Sequence, residues 1–237
     1  MAFELNEVEI ARQLIRNGAD LEYVSARGWT VIHHIWEHIN GGENSLEFYE
    51  ICFAEGFDSY NVQDGMGWSC LHRASAFGTA RDIHFILQGG ASLAIYTKNH
   101  DWSPMHVATV MNNADTLAAL SLHCTEKNLH ARDAHGWTPL HLAVDREAEE
   151  TMKFLLERKA DPLAQTYLNT TWFPVGLEHQ VLRPGDLALN CGDRFFLVYA
   201  RALREAGWEI TTSVDDDDIY WDSTENLSGD IKTGSPY

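Results

Sequence analysis

Gly136-Trp137-Thr138-Pro139-Leu140-His141-Leu142-Ala143 is the stretch on which the fold turns. Thr138 offers a side-chain oxygen to the exposed N–H groups of a helix start, and Pro139 already has a helical φ at a position whose N–H would be idle. Working outward, the same order recurs as Gly28-Trp29-Thr30-Val31-Ile32-His33, as Gly67-Trp68-Ser69-Cys70-Leu71-His72 and as Asp101-Trp102-Ser103-Pro104-Met105-His106. From Trp29 to Trp68, Trp102 and Trp137 the steps are 39, 34 and 35 residues, so the chain repeats one structural unit.

Each block opens a short helix, and a second apolar pattern after it ends at a turn residue: Gly18, Gly56, Gly90, Lys159 and Gly207 stand about one repeat apart. Seven, four and three residues before these turns lie Ala11, Leu14, Ile15; Tyr49, Cys52, Phe53; Ile83, Ile86, Leu87; and Met152, Leu155, Leu156, offsets that share one helical face. The last copy gives Ala200, Leu203 and Arg204, a partly polar face that suits a terminal unit. Glycine at the turn fits a helix end in the left-handed conformation, and Lys159 in that place costs on the order of 1 kcal/mol. In the fourth unit the spacing puts the turn near Glu126 with Ala119, Leu122 and His123 before it, which makes that unit the least regular.

These residues resemble the ankyrin repeat, whose unit of about 33 residues opens with Thr-Pro-Leu-His-x-Ala. Thr138 to Ala143 agree at every fixed place, Ser103 to Ala108 and Ser69 to Ala74 agree nearly so, and Gly18-Ala19-Asp20 resembles the family's turn after the second helix. The resemblance implies an all-α ankyrin-repeat solenoid over residues 1–210, about six helix-turn-helix units with projecting β-hairpin loops. A longer turn at Asn40-Gly41-Gly42-Glu43-Asn44 accounts for the long first step. Arg183 to Ala188 align with Thr138 to Ala143 at a step of 45 residues, so about 12 residues are inserted near 169–181 and the last unit is degenerate. Trp172 and Phe173 fall in that insertion.

From Thr211 the pattern stops. Asp215 to Asp218, Asp222, Glu225 and Asp230 stand against Lys232, a self-repelling composition that predicts a disordered acidic tail over 211–237, with Ile219, Tyr220 and Trp221 offering an alternative use as a docking peptide. Over the whole chain 17 Lys and Arg face 35 Asp and Glu, a formal charge of -18, which disfavours nucleic acid and anionic membranes and favours protein partners with a basic patch at encounter. Cys52, Cys70, Cys124 and Cys191 are too scattered for a zinc or redox motif, and the N-terminus lacks the pattern of a signal peptide. The expectation is a monomer in a reducing compartment, cytoplasm or nucleus.

A phosphate-binding glycine loop, a nucleophile elbow and a zinc-protease helix are all missing from the sequence, so neither catalytic residues nor a cofactor are expected. His34 and His38 have the spacing of two ligands on one helical face, but two imidazoles do not make a metal site, so no metal is expected. His33, His72, His106 and His141, by the family resemblance, hydrogen-bond between loops. The function implied is a protein-binding scaffold that uses hairpin tips and first-helix faces. In the family the residue before the Thr lies on that side, which nominates Trp29, Trp68, Trp102 and Trp137, with Arg27, Met66, His100 and His135 at the adjacent tips. Indoles are favoured hot-spot residues, yet the same positions serve equally for stacking one repeat on the next. A structural spacer without its own partner is the alternative function.

Overall fold

The computed structural model describes residues 7–36, 45–168, 177 and 180–208. The turn at 40–44, the bulk of the insertion near 169–181 with Trp172 and Phe173, His38 and the acidic tail lie outside the described residues. Within them all regular secondary structure is helical. In chain order come α1 (Val8–Arg16), a 3-10 turn (Val31–Trp36), α2 (Ser45–Ala54), α3 (Cys70–Phe77), α4 (Ala80–Gln88), α5 (Pro104–Val110) and α6 (Ala114–Ser121), followed by α7 (Glu126–Leu129), α8 (Pro139–Asp145), α9 (Glu149–Glu157), α10 (Pro184–Asn190) and α11 (Asp193–Glu205).

The helices form two layers. One layer holds the first helix of each unit, with the 3-10 turn on α3, α3 on α5, α5 on α8 and α8 on α10; the other holds the second helices, α2 on α4, α4 on α6, α6 on α9 and α9 on α11. Each helix is too short to be stable alone in water, and the apolar stripe it shares with its neighbours supplies the missing stability. Leu71, Ile83, Ile86, Met105, Leu117, Leu120, Leu140, Met152 and Leu155 fill the seam and are fully buried.

Turn geometry follows the sequence pattern. Gly18, Gly56, Gly90 and Gly207 are left-handed, and so is Lys159 at φ 66. Its side chain offsets part of that cost: Nζ donates to the Ala206 carbonyl at 2.6 Å and lies 5.5 Å from the Trp208 ring centre, tying the last unit to the one before it.

The fourth unit corrects the sequence reading. Helix α6 ends at Ser121 and its turn falls at Leu122 and His123, not at Glu126, which instead opens the extra helix α7. Counting back from His123 selects Thr116, Ala119 and Leu120, all buried, whereas Leu122 is 74% exposed. Two other residues of the expected faces are also outside the core: Phe53 is 60% exposed and Leu14 47%. Both stand at the rim of their stripe, where burial requires a covering neighbour.

The projecting loops are present, but among the described residues none forms a regular strand. Each loop is instead a tight turn joined to the next by a backbone bond: Gly65 N–H donates to Arg27 O, Lys98 to Met66, Ala134 to His100 and Tyr167 to His135, at 2.9 to 3.1 Å. The contact between successive tips is very close. A Cβ on Gly136, itself at φ 80, would stand 2.6 Å from the Tyr167 backbone nitrogen, so this place takes glycine on two grounds.

Candidate functional site: the hairpin-tip edge

Histidine holds the tip edge to the helices. The N–H groups of Thr30, Ser69, Ser103 and Thr138 donate to Nδ1 of His33, His72, His106 and His141 at 3.1 to 3.2 Å, and the hydroxyls of the same four residues lie 2.7 to 2.9 Å from it. On the far side of each ring Nε2 meets the carbonyl of Trp68, Trp102, Trp137 or Leu182 in the next unit at 3.0 to 3.2 Å. A carbonyl only accepts, so Nε2 carries the proton and the rings are neutral. Burial pushes the pKa of His33, His72 and His141 down to about 4 and lowers that of His106, with the Nε2 bonds to carbonyls opposing the shift.

A second set of residues closes each loop, and sequence reasoning missed it. The Asp64 carboxylate accepts from the N–H groups of Met66 and Trp68 at 2.9 Å, and Asp133 accepts from His135 and Trp137 at 2.8 Å. Ser25 and Thr97 hydroxyls each take the N–H of Trp29 and Trp102 at 3.1 Å. The signal was available: a short oxygen-bearing side chain stands four or five residues before every one of these tryptophans. Burial by itself raises the Asp64 carboxyl, but the Trp68 N–H, the Arg73 guanidinium at 2.8 Å and the Met66 N–H outweigh it, and the net shift is downward.

The four nominated tryptophans do not share one environment. Trp29, Trp68 and Trp102 are half-buried at the edge, while Trp137 is 1% exposed. Trp137 is therefore corrected from a surface anchor to a core residue, where it sits with its ring 6.1 Å from that of His141. Trp29 lies under the Arg73 guanidinium at 4.4 Å, with Arg27 at 5.7 Å and His34 edge-on at 5.0 Å. Trp102 stacks on His100 at 4.8 Å and donates Nε1–H to Asp133 at 3.2 Å. These contacts give Trp29 and Trp102 a part in joining repeats.

Arg27 and Met66 are exposed at the tips, Met66 to 60%, and His100 and His135 are half-buried with ring centres 6.3 Å apart. Tyr96 and Tyr167 extend the same edge and were not nominated from sequence; they are 42% and 50% exposed. Among the described residues no three His, Cys, Asp or Glu side chains gather as metal ligands, and no helix is long and apolar enough to cross a membrane.

Helix pairs stacked in two layers, with histidine-clamped loops projecting to one side, define a solenoid repeat protein. Residues 71–166 match the family model of ankyrin repeats in three copies, and the chain carries ankyrin repeats. The clamp continues on both sides of the match, from His33 to Trp68 and from His141 to Leu182. The chain is similar to alpha-latrotoxin-Lg1a of Latrodectus geometricus, 30% identical over 56% of this chain and 9% of the toxin. It is similar to the target of rapamycin complex 2 subunit AVO2 of Saccharomyces cerevisiae, 26% identical over 62% of this chain and 34% of that protein. It is similar also to the human ankyrin repeat and SOCS box protein 3, 25% identical over 70% of this chain and 31% of that protein. The chain thus spans from about a tenth to about a third of these relatives. Ankyrin repeats are in general protein-interaction modules without catalytic activity of their own.

Proposed function

We propose that the chain is a protein-binding scaffold, monomeric and non-catalytic, whose contact surface is the hairpin-tip edge with the adjoining first-helix faces. The observation that carries this reading is Met66, an exposed apolar side chain at a tip, between the half-buried indoles Trp29, Trp68 and Trp102. Large flexible or aromatic groups that are partly covered lose little entropy when a partner completes their burial. Arg27, His100 and His135 supply the polar rim. The repeat domain is assigned to residues 1–210 and the acidic tail to 211–237. Four cysteines, all free, suit a reducing compartment, the cytoplasm or nucleus.

Replacing Met66 and Trp68 together by Ala tests the reading, because Met66 is largely exposed and the Trp68 backbone, which makes the loop and clamp bonds, is retained. The double variant keeps its helical circular dichroism and recovers at least about tenfold less of a partner captured by the parent chain in affinity purification, a loss of the size expected for one hot-spot pair. Equal recovery by parent and variant contradicts the reading. It would favour the second one, a structural spacer, which the inward contacts of Trp29, Trp102 and Trp137 support.

A further inference from the structure

The tip edge differs in charge from the rest of the molecule. In the five tip segments, 25–29, 63–68, 97–102, 132–137 and 165–168, the exposed charges are Arg27, Lys98 and Arg132 against Asp101, and with the buried Asp64 and Asp133 the segments' formal charges balance, in a chain of formal charge -18. Asp64 is buried and paired with Arg73, and Asp133 is buried and occupied by N–H donors. The three exposed cations are held by neutral groups. Lys98 Nζ reaches the Gly65 carbonyl at 3.4 Å, Arg132 donates to the carbonyls of Gly136 and Gln165 and lies 5.9 Å from the Tyr167 ring, and Arg27 lies beside Trp29. Their charge is therefore unspent, and the row interleaves it with aromatic surface.

We propose that the Lys98 and Arg132 end of this basic and aromatic row receives the chain's own segment Asp215–Asp222, which combines five aspartates with Ile219, Tyr220 and Trp221. The proposal rests on reading the tip edge as a binding surface and adds its regulation: a partner must displace the segment or share its chemistry. The reach covers the nearer part of the row: successive units stand about 10 Å apart, so along the stack the Arg132 tip is about 20 Å and the Lys98 tip about 30 Å from the end of α11, and the ten residues 209–218 span up to about 33 Å extended, whereas the Arg27 tip at five units lies beyond them. Tethering gives the segment an effective concentration in the millimolar range, enough for a weak contact to be occupied.

Zero-length carbodiimide coupling, which joins a carboxylate to an amine in direct contact, tests this on the full chain at low concentration. Lys98 is expected to link to Asp215–Asp218 within the monomer at least about fivefold more than Lys153 on α9 does, and the excess is expected to disappear in about 0.5 M salt. Arg132→Ala, checked for unchanged circular dichroism, is expected to remove most of that excess. Links spread evenly over the lysines, or found between two copies alone, overturn the proposal. Even links together with partner capture lost in the Met66 and Trp68 variant remove the docking but leave the binding surface. Lys98-selective links together with unchanged capture leave the docking and remove the partner reading.

Discussion

At the residue scale the four clamp histidines make folding sensitive to acid. Each ring is neutral in the folded chain, with Nδ1 taking an N–H and Nε2 giving its proton to a carbonyl, so a second proton on Nδ1 would face a donor. With pKa values near 4 in the fold and about 6.5 in the unfolded chain, the unfolded state binds more protons between those limits. Stability is therefore complete above about pH 6.5 and is lost as pH falls towards 4, on the order of 3 kcal/mol for each of His33, His72 and His141, with His106 acting in the same direction. Urea denaturation followed from pH 7.5 to 4.5 is expected to show a midpoint that falls steadily below pH 6.5. A midpoint flat across that window contradicts the clamp. Trp137 marks the limit of inference at this scale: its position in the repeat was legible, but its exposure depends on the neighbours that cover it, which one sequence does not specify.

At the element scale the helix starts were legible because capping is local: Ser103 and Thr138 stand at N-cap with Pro next, and α5 and α8 begin there. Helix ends were less so. The turn of the fourth unit was displaced by three residues because His123 lacks the glycine that marks the other turns, and the chain adds α7 before it reaches the loop. Lys159 shows the opposite case, a non-glycine residue that keeps the left-handed turn. Lys159→Gly removes a backbone cost of about 1 kcal/mol but also the bond to Ala206 and the cation beside Trp208, which are of similar size. The two changes act on different parts. Global stability is expected to move by less than about 1 kcal/mol, while amides of Asp193–Glu205 exchange faster with deuterium. Unchanged exchange in α11 would mean that Lys159 does not hold the terminal unit.

At the scale of the whole molecule the solenoid separates its tasks. Both helix layers share the seam and the core, the histidines and loop acceptors fix the tip edge, and the edge presents side chains that the core does not need. The layered architecture was legible from the period of the tryptophans, since a repeated unit fixes its neighbours by stacking. The character of the edge was less so. Net charge suggested a basic partner, whereas the tips gather Arg27, Lys98 and Arg132 because Asp64 and Asp133 are drawn inward to close their loops. The loop acceptors thus shape the surface as well as the backbone.

Hydrogen exchange of the chain with and without a captured partner probes the edge most directly. Amides of residues 63–68 and 97–102 are expected to gain protection on binding, with α4 and α6 unchanged. Protection confined to the second helices, with the tips exchanging as in the free chain, would show that the partner binds elsewhere.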